Sequence, residues 1–311
     1  MDKIAVLIPC YNEGQTIKKV VDDFKRELPD ATIYVYDNNS TDNTISQAQQ
    51  TCAIIRHESR QGKGNVIRTM FREIDAHCYL MIDGDDTYPA EHARELVSQI
   101  IDNKADMAIG DRLSSTYFTE NKSFFNNLGN ILVRKVINKV YKSDIKDVMT
   151  GYRAFGYKFV KTFPILSKGF EIETEMTIHA LDKNLLIKNV LVKYRNRPSG
   201  SQSKISTFKD GYKVLKTIFN LYRNYKPLNF FMWTALFSML IAIGFLIPVL
   251  IEYFQTGLVP KMPSFLTSVF FFLCSIQSFF EGLNLDTMIR NNRRDFEIKY
   301  NEWNYREKIN E

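Results

Sequence analysis

The sequence predicts an α/β domain with a mostly parallel sheet, followed by a hairpin of two membrane-spanning helices. Three observations predict it. In the first 110 residues, short apolar runs alternate four times with segments whose apolar residues recur at helical spacing. The connections between them are short, which is typical of a parallel sheet covered by helices on both faces. After residue 227, two apolar blocks each exceed the roughly 20 residues that cross a bilayer.

The apolar runs of the first part are interpreted as five buried strands. The first of them, residues 4–8, ends at Pro9. The others cover residues 32–36, 53–57, 78–82 and 107–110, with helices expected over about 17–28, 42–51, 66–74 and 90–102. The second half is less regular. It predicts a helix over 124–141 and an extended segment over 187–195.

The two apolar blocks are interpreted as an antiparallel pair of spans. Residues 228–254 contain one charge, Glu252, and residues 265–289 are interrupted only by Glu281 and Asp286. A pair of buried helices in a soluble protein is the alternative. Carboxylates inside a span require partners, and a helix–helix contact in a homo-oligomer would supply them.

Charges beside the spans predict their orientation. Arg223 and Lys226 precede the first span and three arginines follow the second, whereas the linker contains only Lys261. The positive-inside rule therefore places both termini in the cytoplasm, in a multi-pass protein of the inner (plasma) membrane. The start of the chain lacks the layout of a signal peptide. The predicted layout is a cytoplasmic α/β domain over 1–204, a basic amphipathic helix over 205–227, two spans within 228–289 and a cytoplasmic tail over 290–311.

Composition excludes several classes of protein. The chain has 41 Lys and Arg against 35 Asp and Glu, a net charge of +6. Much of the excess adjoins the apolar blocks, which favours a membrane surface over nucleic acid as the partner. The four cysteines form no C-x-x-C pair, so neither a zinc site nor a disulfide framework is expected.

Four polar clusters follow the predicted strands or begin the next helix. They are residues 9–13, 37–42, 62–65 and 83–86. Each alone is compatible with a turn, since Asn, Asp and Gly favour turns. In a parallel sheet, however, all four would lie at the carboxyl ends of the strands, where such sheets bind their ligands. The coincidence indicates a site.

The cluster Asp83-Gly84-Asp85 predicts a metal site. Two carboxylates separated by glycine can face one point, and Mg²⁺ or Mn²⁺ binds carboxylate together with phosphate oxygens. Such a cation would stabilise the charge that develops on a diphosphate leaving group. Asp86 is interpreted instead as a helix N-cap partner, ahead of Pro89 at the start of a helix.

Other polar residues are weaker candidates. Lys63 lies in a Gly-Lys-Gly sequence that lacks P-loop spacing, yet it could meet a phosphate or a base. Asp37 resembles the acidic residue that binds ribose in dinucleotide folds. Glu171 and Glu173 are interpreted as the start of a helix, favoured by its dipole. Residues 195–204 form a basic loop that suits either closure over phosphates or contact with anionic lipid.

Six segments resemble family-2 glycosyltransferases with a GT-A fold, and most closely the polyprenyl-phosphate glycosyltransferases related to dolichyl-phosphate mannose synthase. The matching segments are residues 9–13, 37–44, 62–68, 83–89, 147–155 and 197–204, in the family's order. The resemblance implies a nucleotide-sugar donor, a polyprenyl phosphate acceptor such as undecaprenyl phosphate, and Mg²⁺ or Mn²⁺ as cofactor. A UDP-linked hexose or N-acetylhexosamine is the preferred donor, and a GDP-linked sugar is the alternative.

The resemblance also implies roles for individual residues. The implied nucleotide-sugar contacts are Pro9, Tyr11, Asn12, Glu13, Asp37, Asn38, Lys63, Asp83, Gly84, Asp85, Arg197 and Lys204. The implied acceptor-phosphate contacts are Arg112, Arg134, Ser203 and Lys204. The implied catalytic residues are Asp83, Asp85, Asp147 and Arg112, with Asp83 and Asp85 as the metal ligands.

The chain departs from the family's pattern in three places, and two other functions stay open. It has Gly-Asp-Arg at 110–112 where relatives often have Gly-Ser-Arg, Thr87 where they often have glutamine, and a 197–204 loop one residue longer. The expected reaction is a single in-line displacement that inverts the anomeric carbon. One alternative is transfer to a saccharide hydroxyl, with the spans only as an anchor. The other is a non-enzymatic membrane scaffold with a degenerate transferase domain.

Overall fold

A computed structural model describes residues 1–115, 117, 124–169, 171–196, 219–220, 223 and 225–310. The chain divides into two compact units, Met1–Gly211 and Tyr212–Glu311.

The first unit is built on a seven-stranded mixed sheet in the order β3-β2-β1-β4-β6-β5-β7. The strands are β1 (Asp2–Cys10), β2 (Thr32–Asp37), β3 (Ile54–His57), β4 (Ala76–Met81), β5 (Met107–Asp111), β6 (Arg153–Gly156) and β7 (Ile187–Leu191). All neighbouring strands are parallel except β6, which runs antiparallel to both β4 and β5. The predicted mostly parallel sheet is confirmed.

Seven α-helices accompany the sheet in the described part of this unit. They are α1 (Ile17–Glu27), α2 (Thr44–Ala48), α3 (Lys63–Glu73), α4 (Ala93–Ile101), α5 (Phe124–Tyr141), α6 (Tyr157–Thr162) and α7 (Ile172–Asp182). The alternation predicted for the first 110 residues is confirmed. In α1, for example, Ile17, Val20, Val21 and Phe24 are buried in the core that also contains the β1 and β4 side chains.

One strand was not predicted and one local expectation was wrong. Strand β6 was not predicted, because its four residues begin with Arg153, a charged side chain that is fully buried here. Asp86 does not cap a helix. Its backbone φ is +58°, and its carboxylate forms an ion pair with Lys19 Nζ at 2.6 Å. The next helical turn, residues 90–92, is preceded by Pro89, which makes no side-chain cap.

The second unit contains two long helices, α8 (Pro227–Thr256) and α9 (Met262–Asn310). Both are long and apolar enough to cross a membrane. They pack as an antiparallel pair. Ser275 Oγ donates to the Ala235 carbonyl at 2.8 Å, and a Cβ on Gly282 would lie only 2.9 Å from Phe231 Cβ.

Helix α9 continues past the predicted end of the second span at residue 289. It has 49 residues and therefore extends about 73 Å, more than twice the thickness of a bilayer core. Within it, Arg290 Nε donates to Asp286 Oδ2 at 2.8 Å, so Asp286 has a partner on its own helix. The predicted basic amphipathic helix over 205–227 lies mostly outside the described residues.

Candidate active site

The polar clusters meet at one edge of the sheet, as predicted. Between the first two clusters, Thr41 N–H donates to Asn12 Oδ1 at 2.8 Å, and Asn12 N–H donates to Ser40 Oγ at 2.9 Å. Thr16 Oγ1 donates to the Gly84 carbonyl at 2.6 Å, which ties the start of α1 to the cluster after β4. The clusters therefore form one hydrogen-bonded surface.

Asn38 connects the second cluster to the third. Its amide nitrogen donates to the carbonyls of Glu58 and Arg60 at 2.8 and 2.9 Å, and its oxygen accepts Gly62 N–H at 2.7 Å. The side chain is buried. Asn38 therefore shapes the turn before α3, and its predicted contact with a nucleotide stays a prediction.

Two glycines bring the start of α3 against the backbone of residues 167–168. Gly62 has a φ of +125°, and a Cβ there would lie 2.2 Å from the Lys168 carbonyl oxygen. A Cβ on Gly64 would lie 2.3 Å from the Ser167 carbonyl oxygen. Gly64 N–H donates to the Lys168 carbonyl at 3.1 Å. Only residues without a side chain permit this approach, which fixes Lys63 between them.

Lys63 lies between two carboxylates. Its Nζ is 2.5 Å from Asp83 Oδ1 and 2.6 Å from Glu173 Oε1. Burial alone would lower the pKa of Lys63, but the two carboxylates raise it well above its ordinary value. Burial and the nearby Asp83 charge raise the pKa of Glu173, against the opposing effect of Lys63. Lys63 is thus a charged ammonium in the site.

Sequence reasoning missed the role of Glu173. The residue lies in the first turn of α7, as predicted, but its side chain points to Lys63 instead of solvent. Glu175 also has a partner, because its carboxylate accepts the backbone N–H groups of Leu166 and Ser167 at 3.0 Å. The signal available in the sequence was two glutamates at i and i+2, which lie about 200° apart around a helix, so a helix packed on one face cannot expose both.

Asp83 and Asp85 follow β4 as predicted. A Cβ on Gly151 would lie 2.2 Å from Asp83 Oδ2, so the carboxylate packs directly against the backbone of that glycine. Asp85 is buried, and its Oδ1 accepts Thr87 N–H and Thr87 Oγ1 at 3.2 and 2.6 Å. Both side chains are fixed by contacts within the protein.

The donor set fits a cation that is shared with a ligand. Among the described residues, no group of three His, Cys, Asp or Glu side chains is arranged to hold a metal ion. Asp83 and Asp85 supply carboxylate oxygens alone. Mg²⁺ is characteristically bound by one or two carboxylates together with substrate phosphates and water. Two aspartates at a strand end are therefore sufficient only when phosphate completes the coordination.

Arg112 is enclosed by aromatic rings. Its guanidinium carbon lies 4.7 Å from the ring centroid of Tyr117 and 5.7 Å from that of Tyr194. Its Nε donates to Asp147 Oδ2 at 2.8 Å, and its Nη1 donates to Tyr88 Oη at 3.1 Å. Although burial opposes it, the Asp147 carboxylate raises the pKa of Arg112. Arg112 and Asp147, which were assigned separately as catalytic residues, thus form an ion pair.

A second buried arginine fixes the loop that carries Gly151. Arg153 donates to the carbonyls of Val148 and Thr150 at 2.5 and 3.0 Å, and to Thr177 Oγ1 at 2.8 Å. Burial lowers its pKa to about 10. The loop between Asp147 and Gly151 is therefore held from both sides, which determines how closely Gly151 approaches Asp83.

The remaining predicted residues have varied settings. Asp37 is buried and accepts Ser40 N–H at 3.3 Å, with His57 Nδ1 at 3.3 Å. Glu13 is buried, and Tyr11 is about one-third exposed. Arg134 donates to the Lys146 carbonyl at 3.1 Å. The other residues assigned to the site, Arg197, Ser203 and Lys204, lie outside the described part of the chain.

A mixed sheet of this order, with an aspartate pair after its central strand β4, is the architecture of a GT-A glycosyltransferase domain. The profile of glycosyl transferase family 2 matches residues 5–163. The chain belongs to this family, and it is a glycosyltransferase.

Individual relatives agree with this assignment. The chain is 30% identical over 231 residues to the glycosyltransferase AglJ of Haloferax volcanii, covering 74% of this chain and 75% of the relative. It is 26% identical over 217 residues to a dolichyl-phosphate hexose transferase of the same organism, covering 70% of this chain and 92% of the relative. The fold matches glucosyl-3-phosphoglycerate synthase of Mycobacterium tuberculosis, solved with Mn²⁺, UDP and phosphoglyceric acid. That match has a TM-score of 0.56 and 18% identity, covering 71% of this chain and 78% of that one.

Proposed function

We propose that the chain is an inverting transferase that moves a sugar from a nucleotide to a polyprenyl phosphate in the membrane. The donor class is a UDP-linked hexose or N-acetylhexosamine, and undecaprenyl phosphate is a representative acceptor. The observation that carries the proposal is the Asp83 carboxylate, held between Lys63 and Gly151 at the sheet edge of a family-2 domain. The two apolar helices of the same chain favour an acceptor that itself resides in a bilayer.

Asp83 and Asp85 would hold Mg²⁺ or Mn²⁺ together with the donor diphosphate. The cation would supply charge stabilisation to the leaving diphosphate. The aspartate pair and the Mn²⁺–UDP complex of the structural relative support this assignment. Pro9, Tyr11, Asn12, Glu13, Asp37, Asn38, Gly84, Arg197 and Lys204 are proposed to complete the nucleotide-sugar pocket.

The carboxylates of this site suit an acceptor that is already ionised, because such an acceptor does not need a general base. Glu173 is held by Lys63 and Asp147 by Arg112, so neither carboxylate is free to take a proton from an acceptor hydroxyl. A phosphate monoester needs no strong base, because its second pKa is about 6. Its oxygen attacks the anomeric carbon opposite the diphosphate, the bond from that carbon to the diphosphate oxygen breaks, and the electron pair leaves with UDP. Arg112, Arg134, Ser203 and Lys204 are proposed to receive the acceptor phosphate.

The membrane arrangement is part of the proposal. Helices α8 and α9 would span the plasma membrane, with residues 1–204 and both termini in the cytoplasm and a basic helix over 205–227 at the lipid surface. The apolar length of both helices and the arginines that follow the second span support this topology. A homo-oligomer through the spans stays a prediction.

The test is a panel of labelled sugar nucleotides incubated with the full chain, undecaprenyl phosphate and Mg²⁺ or Mn²⁺. We expect label in the organic phase, released as free sugar by mild acid and absent when the acceptor or the cation is omitted. The anomeric configuration of the product, determined by NMR, should be opposite to that of the donor. Label that appears only in water-soluble products would replace this proposal by transfer to a saccharide hydroxyl.

A further inference from the structure

Lys63 contacts one carboxylate inside the proposed cation site and one outside it. Asp83 belongs to the aspartate pair, whereas Glu173 comes from helix α7. The Lys63 and Glu173 side chains are only 8% and 5% exposed, and Asp83 is 28% exposed. In a shielded group of three charges, removal of one member leaves another without compensation. The three side chains therefore respond together when a ligand changes the charge at Asp83.

We propose that Lys63 is a built-in competitor of the divalent cation for Asp83, and that Glu173 retains Lys63 when Asp83 turns to the cation. This rests on the proposed function, since it takes Asp83 as a cation ligand. In the nucleotide-free protein, the ammonium compensates the Asp83 charge. The cation consequently binds weakly by itself and tightly together with a nucleoside diphosphate.

The two oxygens of Asp83 show why the competition arises. Oδ1 is in contact with Lys63 Nζ at 2.5 Å, and Oδ2 lies against the backbone of Gly151. A cation that binds Asp83 at Oδ1 competes with Lys63 for the same oxygen. Displacement of a buried ammonium is costly unless another anion stays beside it. Glu173 is that anion, at 2.6 Å from the same nitrogen.

The diphosphate provides the charge that makes the exchange favourable. Lys63 and a divalent cation repel each other at short distance, and this repulsion is strong in a shielded site. The phosphate oxygens lower it by adding negative charge between the two. Coupling of this kind is reciprocal, so the cation must also tighten binding of the nucleotide. The Lys63–Glu173 pair would thus make cation and nucleotide bind as a unit.

The test measures Mn²⁺ binding to the full chain in detergent by electron paramagnetic resonance, with and without UDP. Lys63→Gln removes the competitor. We expect Mn²⁺ alone to bind at least tenfold more tightly, and UDP to improve that affinity by a smaller factor than in the wild type. Glu173→Gln has the opposite sign, because it removes the carboxylate that holds Lys63 on the side away from the cation. We expect Mn²⁺ to bind severalfold more weakly in that variant, with or without UDP.

The double variant Lys63→Gln/Glu173→Gln separates the contact from net charge. It loses one positive and one negative charge, so the net charge of the site equals that of the wild type. We expect it still to bind Mn²⁺ alone more tightly than the wild type, because the contact on Asp83 is gone. It also leaves no unpaired Glu173, which favours folding if the single variant is unstable. The control is Lys18→Gln, which replaces an exposed lysine that is hydrogen-bonded to Gln50. It should leave the Mn²⁺ affinity unchanged, with and without UDP.

The outcomes distinguish this inference from the function on which it rests. If Mn²⁺ fails to bind the wild type with UDP, or binds Asp85→Asn equally well, the cation assignment itself is wrong and the inference falls with it. If binding is normal and needs Asp85, but the Lys63→Gln and double variants stay within twofold of the wild type for Mn²⁺ alone, only the competition is refuted.

Discussion

Replacement of Gly151 by alanine tests the contact that fixes Asp83 on the side opposite Lys63. The new Cβ would lie 2.2 Å from Oδ2, 2.8 Å from Cγ and 2.9 Å from Oδ1 of Asp83. Atoms do not approach a Cβ closer than 3.0 Å, so the carboxylate or the loop must move by about 0.8 Å. Neither the carboxylate nor the loop can move freely. Lys63 holds Asp83, and Arg112 and Arg153 donate to backbone carbonyls of the loop.

The expected effect is larger on catalysis than on stability. A misplacement of about 1 Å at a reacting centre costs on the order of 100-fold in rate, and overpacking costs about 1–3 kcal/mol of stability. We therefore expect Gly151→Ala to lose about two orders of magnitude in turnover while it stays folded. Turnover is measured with a labelled sugar nucleotide and folding by the thermal unfolding midpoint.

Gly156 supplies a matched control for the Gly151 substitution. It lies at the end of the short strand β6, which follows the loop of Gly151, and a Cβ there would meet its nearest neighbour at 3.7 Å, an ordinary contact. Gly156→Ala should therefore keep near-normal turnover. If Gly151→Ala is folded and as active as Gly156→Ala, the close approach of the loop to Asp83 does not position the carboxylate, and the reasoning is refuted.

Three further predictions concern single side chains. Asp85→Asn should lower transfer at least 100-fold in a chain that unfolds at the wild-type temperature, and near-normal turnover would exclude Asp85 as a cation ligand. Arg112→Met leaves the buried Asp147 without its cation and should cost about 3–5 kcal/mol in the free energy of unfolding, measured by denaturant titration; a loss below 1 kcal/mol would contradict the ion pair. The Arg60 guanidinium lowers the pKa of Glu58 to about 2 from its ordinary 4.5. The stabilisation from this pair is small because Arg60 is exposed; it is present above pH 4.5 and is lost as the pH falls toward 2. Glu58→Gln should remove this part of the acid sensitivity, and an unchanged pH profile would argue against it.

The sequence alone was sufficient where a side-chain pattern reports burial. The apolar runs of β1, β2 and β4 and the helical spacing of α1 follow directly from which residues must leave water. The location of the candidate site was also predictable, because polar clusters at the carboxyl ends of parallel strands all lie at one edge of the sheet. Asp83 and Asp85 were therefore found from position and chemistry together.

The unpredicted features depend on contacts between distant parts of the chain. Strand β6 is short and begins with Arg153, whose charge is compensated by carbonyl oxygens that no sequence pattern reveals. Glu173 is 110 residues from Lys63, so nothing local distinguishes it from a glutamate that only favours a helix start. The structural role of Asn38 was hidden for the same reason, since its side-chain amide donates a hydrogen bond to the backbone of a turn some 20 residues later.

The position of β6 in the sheet has a consequence for synthesis of the chain. It pairs with β4 on one side and β5 on the other, yet its first residue is made roughly 70 residues after β4 ends. At about 5–20 residues per second, the ribosome leaves the edge of β4 unpaired for several seconds. Unpaired edges of apolar strands are templates for aggregation. The nascent chain therefore passes through an interval in which the edge of β4 is open to pairing with other chains, and slow translation across residues 82–152 would lengthen that interval.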